Sequence, residues 1–534
     1  MTAPAPRSIA TEFESTRQRY LEIALAFLVF FVFGGSPAPL VNETHYLTKA
    51  KHYWNPEWCA GDLFLESADA HLTFYWTVGL LTKWFSLSTV AWIGRILAWA
   101  TLAWSWQRLS SRVVRLPWAA VVTAMLLVTL IERTNFSGEW VVGGVEGKCF
   151  AYAFVFWGLA ELAVGNWRLV WPLLGLGAAF HVLVGGWSVI CAAIVWILEP
   201  RASRPTFATL VPSLLLGGIL ALPGVLPGLL LTTNVPADIR EEANQIYVFE
   251  RLPHHLAPHR LPTVEIIIRF RRFGLLLLGF FFLRRFRPQS EVAENLRLTR
   301  IQRFAWASVA ICLVGLTWEF ATINHPALSA SLLKYYWFRM ADIAVPLAVA
   351  LSLGALMESV SRERHRFAVA IVTLSVAIPG FLLLKSSGER WARVNEIETY
   401  EARHSYGWQD ACAWAREHTA PESLFLIPRR GYDFKWYAER PVFFTWKDVP
   451  QDAASLVIWW ERYQEAYYGA VDEFGEPMPY YSLQELGADR LREIAAKHKI
   501  DYLLTTEYPP LPLPVAYENP WYKIYDVRSS ARTE

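Results

Sequence analysis

Long apolar stretches recur from the N-terminal region to about residue 385, and they constrain the fold of this chain more than any other feature. A helix that crosses a lipid bilayer needs about 20 mainly apolar residues. The apolar stretches, some of them shorter than this, predict eleven spans at about 20–40, 86–107, 116–131, 149–165, 169–183, 186–198, 206–231, 263–283, 301–320, 336–358 and 367–385. Hydrophobic residues make up 54% of the 534 residues and charged residues only 18%. We therefore expect a polytopic α-helical membrane protein.

The distribution of arginines predicts which side of the membrane each loop faces. Positively charged residues concentrate in the short loops on the cytoplasmic side. Fifteen arginines fall in the alternate loops 108–115, 166–168, 199–205, 284–303 and 359–366. We therefore expect a cytoplasmic tail over 1–19, a transmembrane domain over 20–385, and an extracytoplasmic domain over 386–534.

Two apolar segments do not read as simple spans. Residues 169–198 must supply two crossings from 30 residues, with Gly185 and Gly186 between them, so they form either two short spans or a re-entrant hairpin. Residues 71–85 are apolar and aromatic, but counting them as a span would place the arginines of 108–115 outside. We interpret them as an amphipathic helix on the outer surface of the membrane, at the end of an outer loop over 41–85.

The last part of the chain has the composition of a soluble domain. Helical and strand patterns alternate there, which predicts an α/β domain with a partly parallel sheet. The predicted helices are 408–418 and 482–499, and the predicted strands are 423–427, 441–445 and 501–505. The sequence contains no glycine-rich phosphate loop, basic tract or zinc-ligand spacing, so we expect neither a nucleotide site nor nucleic-acid binding. Cys59 and Cys412 would both lie outside the membrane, and their spacing leaves a disulfide between them open.

The polar segment 41–71 is the most site-like part of the sequence. It carries five acidic residues, three histidines and several aromatic residues directly after the first apolar run. Residues 42–46 read Asn-Glu-Thr-His-Tyr, His71 opens the predicted surface helix, and Arg95 lies near the start of the second span. A segment this rich in acids and aromatics, held against a membrane face, indicates a site rather than a connector.

This order of features resembles the GT-C superfamily, whose members are glycosyltransferases that use polyprenyl-phosphate sugars. The chain is most similar to bacterial members of the protein mannosyltransferase and aminoarabinose transferase type. Those proteins carry two acids and a Tyr directly after the first helix, and here Asn42 stands in place of the first acid. The resemblance implies a GT-C-like fold in a bacterial inner membrane and sugar transfer from a polyprenyl-phosphate donor to a saccharide, lipid or protein acceptor.

Such a transfer requires a base that takes the proton of the acceptor hydroxyl. A carboxylate at a membrane face serves as a base when partial burial tunes its pKa. Glu43, three residues beyond the first span, is the first candidate, and Asp62 is the second. Both could also hold a divalent cation such as Mg²⁺ or Mn²⁺, because hard cations prefer carboxylate oxygens. Without a catalytic role, Glu43 would be a solvated loop acid or a helix cap.

The departing phosphate also needs positively charged or hydrogen-bonding groups. Candidates lie in the outer loops and at the outer ends of the spans, beside acids that could border the same cavity. The predicted residues for binding substrate and lipid phosphate are His45, Tyr46, His71, Glu139, Glu146, Arg251, His254, His255, Arg269, Arg272, Lys334 and Arg339.

Structural roles remain open for several of these residues. Loop 232–262 could lie on lipid headgroups, and Arg269 and Arg272 could extend along their helix to the interface. Arg339 and Asp342 are three residues apart on a predicted helix and could pair with each other.

Three functions are compatible with the sequence. The first is a membrane glycosyltransferase with Glu43 as its base. The second is a transporter or flippase of a lipid-linked saccharide, which would show internal repeats and ionisable residues at mid-membrane depth. The third is a scaffold protein that keeps the fold without the chemistry, and Asn42 in the acidic pair keeps this reading open.

Overall fold

Long helices occupy the regions in which the sequence predicts spans. The computed structural model describes residues 9–231, 233–285, 292–362, 368–392, 405–471 and 477–528. The first part of the chain contains α1 (Ile9–Gly34), α2 (Val41–Trp54), α3 (Leu63–Glu66), α4 (Leu72–Trp76), α5 (Leu87–Val113), α6 (Ala119–Thr134), α7 (Gly147–Val164), α8 (Trp167–Phe180), α9 (Val182–Ile197), α10 (Phe207–Leu230), α11 (Ala237–Gln245), α12 (Pro253–Leu256), α13 (Thr263–Arg285), α14 (Val292–Ala321), α15 (Pro326–Leu333), α16 (Ala341–Arg362) and α17 (Ala368–Ala392). The predicted polytopic helical fold is confirmed.

Five of the described helices are long and apolar enough to cross a membrane by length and composition. They are α5, α7, α10, and the segments Leu296–Ala321 of α14 and Ala341–Ser361 of α16. In α7, 83% of the most apolar window is buried among other helices. An interior helix of this kind is apolar on every side.

The bundle packs around large aromatic side chains. Phe30, Trp99, Trp106 and Phe156 are all at most 1% exposed. The indole N–H of Trp106 donates to the carbonyl of Ala120 at 2.9 Å, which satisfies a polar group that would otherwise be costly to bury. These contacts tie together α1, α5, α6 and α7.

The helices α8 and α9 meet at His181. With 14 and 16 residues, they are about 21 and 24 Å long, shorter than the hydrocarbon core of about 30 Å. A Cβ atom at Gly185 would lie 2.2 Å from the backbone nitrogen of Ala178, so only glycine permits this approach. The segment 169–198 is therefore a close-packed pair of short helices.

The segment 71–85 differs from the predicted single amphipathic helix. It forms α4 and a 3₁₀-helix over Val78–Lys83. The hydroxyl of Thr77 between them donates to the carbonyl of Thr73 at 2.7 Å, a local bond that competes with helix continuation. Phe74 and Tyr75 are buried, so this face packs on protein.

The C-terminal part of the chain is an α/β domain, as predicted. It contains α18 (Ser405–His418), β1 (Phe425–Leu426), α19 (Phe434–Ala438), α20 (Ala453–Tyr467), β2 (Tyr468–Val471), β3 (Pro477–Pro479), α21 (Ala488–His498), β4 (Tyr502–Thr506), β5 (Val515–Glu518) and β6 (Tyr522–Asp526). The main sheet has the order β1-β4-β6-β5. Strands β1 and β4 are parallel, while β6 is antiparallel to both β4 and β5. The predicted strand 441–445 contributes only an isolated bridge from Val442 to Phe425.

Cys59 and Cys412 are both free thiols, so the possible disulfide between them is absent. Cys412 lies in the apolar core of the C-terminal domain, whereas Cys59 packs in a separate apolar cluster formed mainly by the segment 41–85.

We expect Asp433 to make the stability of the C-terminal domain depend on pH. This carboxyl group is fully buried at the start of α19, and burial raises its pKa from 3.8 to about 7. The folded state therefore keeps a proton that the unfolded state releases, and stability falls as pH rises from about 4 to about 7. Asp433→Asn should flatten this fall in the thermal midpoint, measured by circular dichroism. The exposed Asp489→Asn is the matched control, and an unchanged slope in Asp433→Asn would contradict the prediction.

Candidate functional site

Several segments meet beside the C-terminal domain at one end of the helix bundle. They are α2, the loop 135–146 between α6 and α7, the loop 232–262, and the start of α16. The sequence of α2 explains why this polar segment is helical. Glu43 in its first turn accepts the backbone N–H of Leu40 at 2.8 Å, and Lys51 and His52 occupy its last turn, which complements the helix dipole at both ends.

Glu43 is fully buried and accepts four hydrogen bonds. Arg95 on α5 donates two of them, from Nε to Oε1 at 2.6 Å and from Nη2 to Oε2 at 2.5 Å. The backbone N–H groups of Leu40 and Val145 donate the others, at 2.8 and 2.9 Å. Together they occupy the acceptor positions of both oxygens. Glu43 therefore joins α2, α5 and the loop 135–146, and no contact among the described residues favours its predicted role as a base.

A second pair of carboxylates forms a compact charge cluster with two cations. Lys148 lies 3.2 Å from Glu139 and 2.9 Å from Glu146. Arg339 contacts the other oxygen of Glu139 at 2.6 Å, and the side-chain amide of Asn42 donates to Glu146 at 3.1 Å. We call Glu139, Glu146, Lys148 and Arg339 the charge cluster. The expectation that the two acids border one site agrees with this arrangement.

Asp342 does not pair with Arg339, which corrects one of the alternatives left open by the sequence. Its carboxylate accepts the backbone N–H groups of Phe136, Ser137 and Glu139 at 2.6, 2.8 and 3.2 Å. Arg339 is thereby left to contact Glu139. Asp342 holds the loop that carries the charge cluster.

Tyr46, His71 and His181 form a ring cluster beside these charges. The ring centroid of His71 lies 4.8 Å from Tyr46 and 6.1 Å from His181. Burial lowers the pKa of His71 to about 3, and burial, together with the charge of Glu146, raises the pKa of Tyr46. Both side chains are therefore uncharged near neutral pH, and they offer hydrogen bonds rather than charge.

Asp62, the second predicted base, is buried at the interface with the C-terminal domain. Lys435 on α19 contacts it at 2.9 Å, and the backbone N–H of Val442 donates to it at 3.1 Å. The same Lys435 contacts Asp448 at 2.8 Å. Burial alone would raise the pKa of Asp448, but Lys435 and His45 outweigh burial and lower it to about 2. Asp62 therefore docks the C-terminal domain onto the segment 41–85. Its contacts do not favour the predicted catalytic role.

His45 lies on the same interface. Its Nδ1 is 3.7 Å from Asp448. Burial lowers the pKa of His45 more than Asp448 raises it, so the imidazole is neutral in the folded protein.

The predicted cations of the loop 232–262 have several different positions. Arg251 donates to the carbonyl of Trp446 in the C-terminal domain at 2.9 Å. His255 hydrogen-bonds the carbonyl of Ser137, and its ring centroid lies 4.0 Å from that of His254. Burial lowers the pKa of His254 to about 4.

Three other predicted residues do not join the charge cluster. Arg269 bonds the carbonyls of Phe136 and His254 at 2.9 and 2.7 Å. Arg272 is exposed on α13, and Lys334 donates to Asn244 at 3.1 Å. Arg269 therefore supports a loop next to the site.

The predicted metal pair does not fit a divalent cation. Glu43 is occupied by Arg95 and two backbone amides, and Asp62 is occupied by Lys435 and backbone amides. Among the described residues, no group of three or more His, Cys, Asp or Glu side chains is arranged to hold a metal. We therefore assign no metal to Glu43 and Asp62.

Sequence reasoning missed Lys148, Lys435, Lys447 and Asp448. Lys148 follows Glu146 by two residues at the start of a buried helix, where an unpaired lysine is costly, and this was an available signal. The other three lie in the C-terminal domain, and only the docking of that domain brings them to the site.

Comparisons with known proteins cover the chain unevenly. A family model described as a domain of unknown function (DUF6798) matches residues 406–466, and no curated protein matches the sequence. The chain is similar to the Archaeoglobus fulgidus oligosaccharyltransferase, solved with a tethered acceptor peptide, with 13% identity, 91% of this chain and 69% of that chain covered, and a TM-score of 0.45.

It is also similar to ArnT from Cupriavidus metallidurans. The apo structure has 13% identity, 99% of this chain and 100% of that chain covered, and a TM-score of 0.41. The structure bound to undecaprenyl phosphate has 12% identity, with 96% and 99% covered and a TM-score of 0.31. These likenesses concern the overall arrangement of the chain.

We expect Glu43→Gln to destabilise the protein, because it leaves the Arg95 guanidinium buried without its counter-charge. Removing one partner of a buried ion pair typically costs about 3–5 kcal/mol. The midpoint of thermal unfolding in detergent should fall, while the exposed Glu57→Gln should leave it unchanged. A Glu43→Leu/Arg95→Met double variant should regain much of the loss. A Glu43→Gln protein as stable as wild type would contradict the structural role.

We expect Lys435→Met to loosen the C-terminal domain, because Asp62 and Asp448 would then repel each other without a cation between them. Limited proteolysis of the full-length protein should become faster. Adding Asp62→Asn and Asp448→Asn to Lys435→Met should slow it again. Equal proteolysis rates in wild type and Lys435→Met would show that docking does not depend on this triad.

Proposed function

We propose that the protein is a membrane glycosyltransferase that moves a sugar from a polyprenyl-phosphate donor to an acceptor hydroxyl, with Glu146 as the base. The observation that carries the proposal is the contrast between two buried glutamates. Glu43 accepts four hydrogen bonds, two of them from backbone amides. Within the described part of the chain, the Glu146 carboxylate is held by the Asn42 amide and the Lys148 ammonium alone.

The contacts of Glu146 are exchangeable. A side-chain amide and a lysine ammonium both end flexible groups, so an acceptor hydroxyl can take the place of either. Glu146 also immediately precedes the first residue of α7, where the helix dipole favours a negative charge. The acceptor hydroxyl can therefore reach the carboxylate by displacing one of these two partners.

The proposed step is a single displacement. The acceptor oxygen attacks the anomeric carbon while its proton passes to Glu146. The bond between the anomeric carbon and the phosphate oxygen breaks, and its electron pair leaves with the phosphate. Lys148 and Arg339 supply positive charge beside that position, since charge-assisted hydrogen bonds stabilise a developing anion. The configuration at the sugar is inverted.

We infer that this site faces the outside of a bacterial inner membrane. The end of the bundle away from the C-terminal domain carries Arg108 and Arg112 on Glu161, and Arg300 and Arg303 on Glu199. Arginine-rich ends face the cytoplasm. This supports an inside N-terminus and an outside C-terminal domain, where a lipid-linked donor and a saccharide, lipid or protein acceptor would meet.

We expect Glu146→Gln to abolish turnover of the correct donor without unfolding the protein. Because ArnT is known with undecaprenyl phosphate bound, labelled undecaprenyl-phosphate sugars are the first donors to test, with release of undecaprenyl phosphate as the readout. Losing the base should lower kcat at least about 100-fold. Glu132→Gln, in the last turn of α6 before the loop 135–146, is the matched control.

The results of this experiment distinguish a glycosyltransferase from a flippase. Equal turnover in wild type and Glu146→Gln would remove Glu146 as the base. No turnover of any donor by wild type would overturn the glycosyltransferase proposal. Movement of a lipid-linked saccharide across vesicles without any transfer would instead support a flippase.

A further inference from the structure

Two cations at the interface with the C-terminal domain have no carboxylate partner among the described residues. Arg251 donates only to the carbonyl of Trp446, and its guanidinium lies 5.2 Å from the centre of the Trp446 ring. The neighbouring Lys447 makes no ion pair or side-chain hydrogen bond within the described part of the chain. The other lysines and arginines at this site are paired: Lys148, Arg339, Arg95 and Lys435 each contact a carboxylate.

The position of Lys447 is fixed by its neighbours in the chain. The carbonyl of Thr445 accepts the indole N–H of Trp459 at 3.1 Å. The backbone N–H of Trp446 donates to the backbone carbonyl of Arg429 at 2.7 Å. On the other side, Asp448 is held by Lys435 at 2.8 Å. The backbone that presents Lys447 is therefore anchored on both sides, although its side chain is only half-buried.

Lys447 directly follows Trp446, whose carbonyl accepts the Nε–H of Arg251 from the loop 232–262. Burial, together with the charges of Arg251 and Lys148, lowers the pKa of Lys447 to about 8, while Glu146 and Asp448 act in the opposite direction. The charge of Lys447 in turn lowers the pKa values of His45 and His254. Lys447 thus lies within electrostatic range of the proposed base and of the unpaired Arg251.

The surroundings compensate these two positive charges only in part, because the nearby Glu146 already contacts Lys148. His45 and His254 add no charge near neutral pH, because burial lowers both pKa values. Asp448 already forms an ion pair with Lys435. Two cations held together without a counter-ion repel each other, and a bound anion would relieve the repulsion. A phosphate group suits this pair, because a guanidinium and an ammonium both bind its oxygens.

We propose that Arg251 and Lys447 form the binding site for the phosphate group of the polyprenyl-phosphate donor, so that the C-terminal domain completes the site. This inference rests on the proposed function, since it places the donor phosphate next to Glu146. It gives the C-terminal domain a direct part in substrate binding rather than the role of an appendage. Lys447 is the residue through which it acts.

Binding of undecaprenyl phosphate to the full-length protein in detergent tests the inference, measured by isothermal titration calorimetry. Lys447→Met keeps the apolar stem and removes the charge, and it should raise the Kd at least about 10-fold. Lys447→Arg should stay within about threefold of wild type. Lys497→Met, an exposed lysine in the same domain, is the matched control and should not change the Kd.

The pH profile gives a readout that a purely structural role would not move. In wild type, affinity should fall above about pH 8, because the Lys447 ammonium loses its proton. The groups that face it are Arg251, Lys148, Glu146, Asp448, His45 and His254, and the histidines titrate far below this range. Lys447→Arg should bind equally well at pH 7 and pH 9. The same fall in both proteins would overturn the assignment.

The outcomes separate this inference from the proposed function. An unchanged Kd in Lys447→Met, with sugar transfer intact in wild type, would overturn the phosphate site alone. Loss of lipid binding in Lys447→Met, with no transfer by wild type, would keep the site and overturn the transferase. Inorganic phosphate that binds as tightly as undecaprenyl phosphate would show a site for free phosphate and overturn the lipid assignment.

Discussion

The ion pair of Glu43 and Arg95 is the interaction on which the rest of this end of the molecule depends. Both side chains are fully buried, so in a low-dielectric interior each requires the other. Arg95 also bonds the carbonyl of Ser36, and Glu43 also bonds Val145. One pair thus connects the end of α1, the start of α2, the middle of α5 and the loop before α7. That connection orients α2, and α2 carries Asn42, His45, Tyr46 and Lys49.

The orientation of α2 has two consequences. Asn42 reaches Glu146 in the charge cluster, while His45 reaches Asp448 in the C-terminal domain. Lys49 binds the carbonyls of Phe64 and Leu65 at 2.9 and 2.8 Å, which positions Asp62 for Lys435. A single short helix therefore relates the membrane domain to the C-terminal domain. This explains how residues 443–448 come to lie beside groups more than 290 residues earlier in the chain.

Much of the fold could be predicted, because apolar length is a local property that each helix carries in its own sequence. The pairing of buried charges could not be predicted from the sequence. Glu43 and Asp62 stand out in the sequence as candidate bases, but whether a buried carboxylate is a base or half of an ion pair depends on its partner. Arg95 is 52 residues away from Glu43 and Lys435 is 373 residues away from Asp62. The strand β5 was missed because it is largely exposed and lacks the alternating pattern of a buried strand.

The contrast between Glu43 and Glu146 shows how one site can hold two buried glutamates with different tasks. A carboxylate bound by a guanidinium fork and backbone amides is fixed in both position and charge. A carboxylate bound by an amide and an ammonium at the ends of flexible side chains can exchange those partners for a substrate. Asn42 affects the charge balance around Glu146. An acid at that position would add a negative charge next to Glu146 and compete for Lys148, whereas the amide donates to Glu146 and leaves the cluster neutral. In the proposed mechanism, Asn42 on α2 therefore supports a base in the loop 135–146, beside two cations and two uncharged rings.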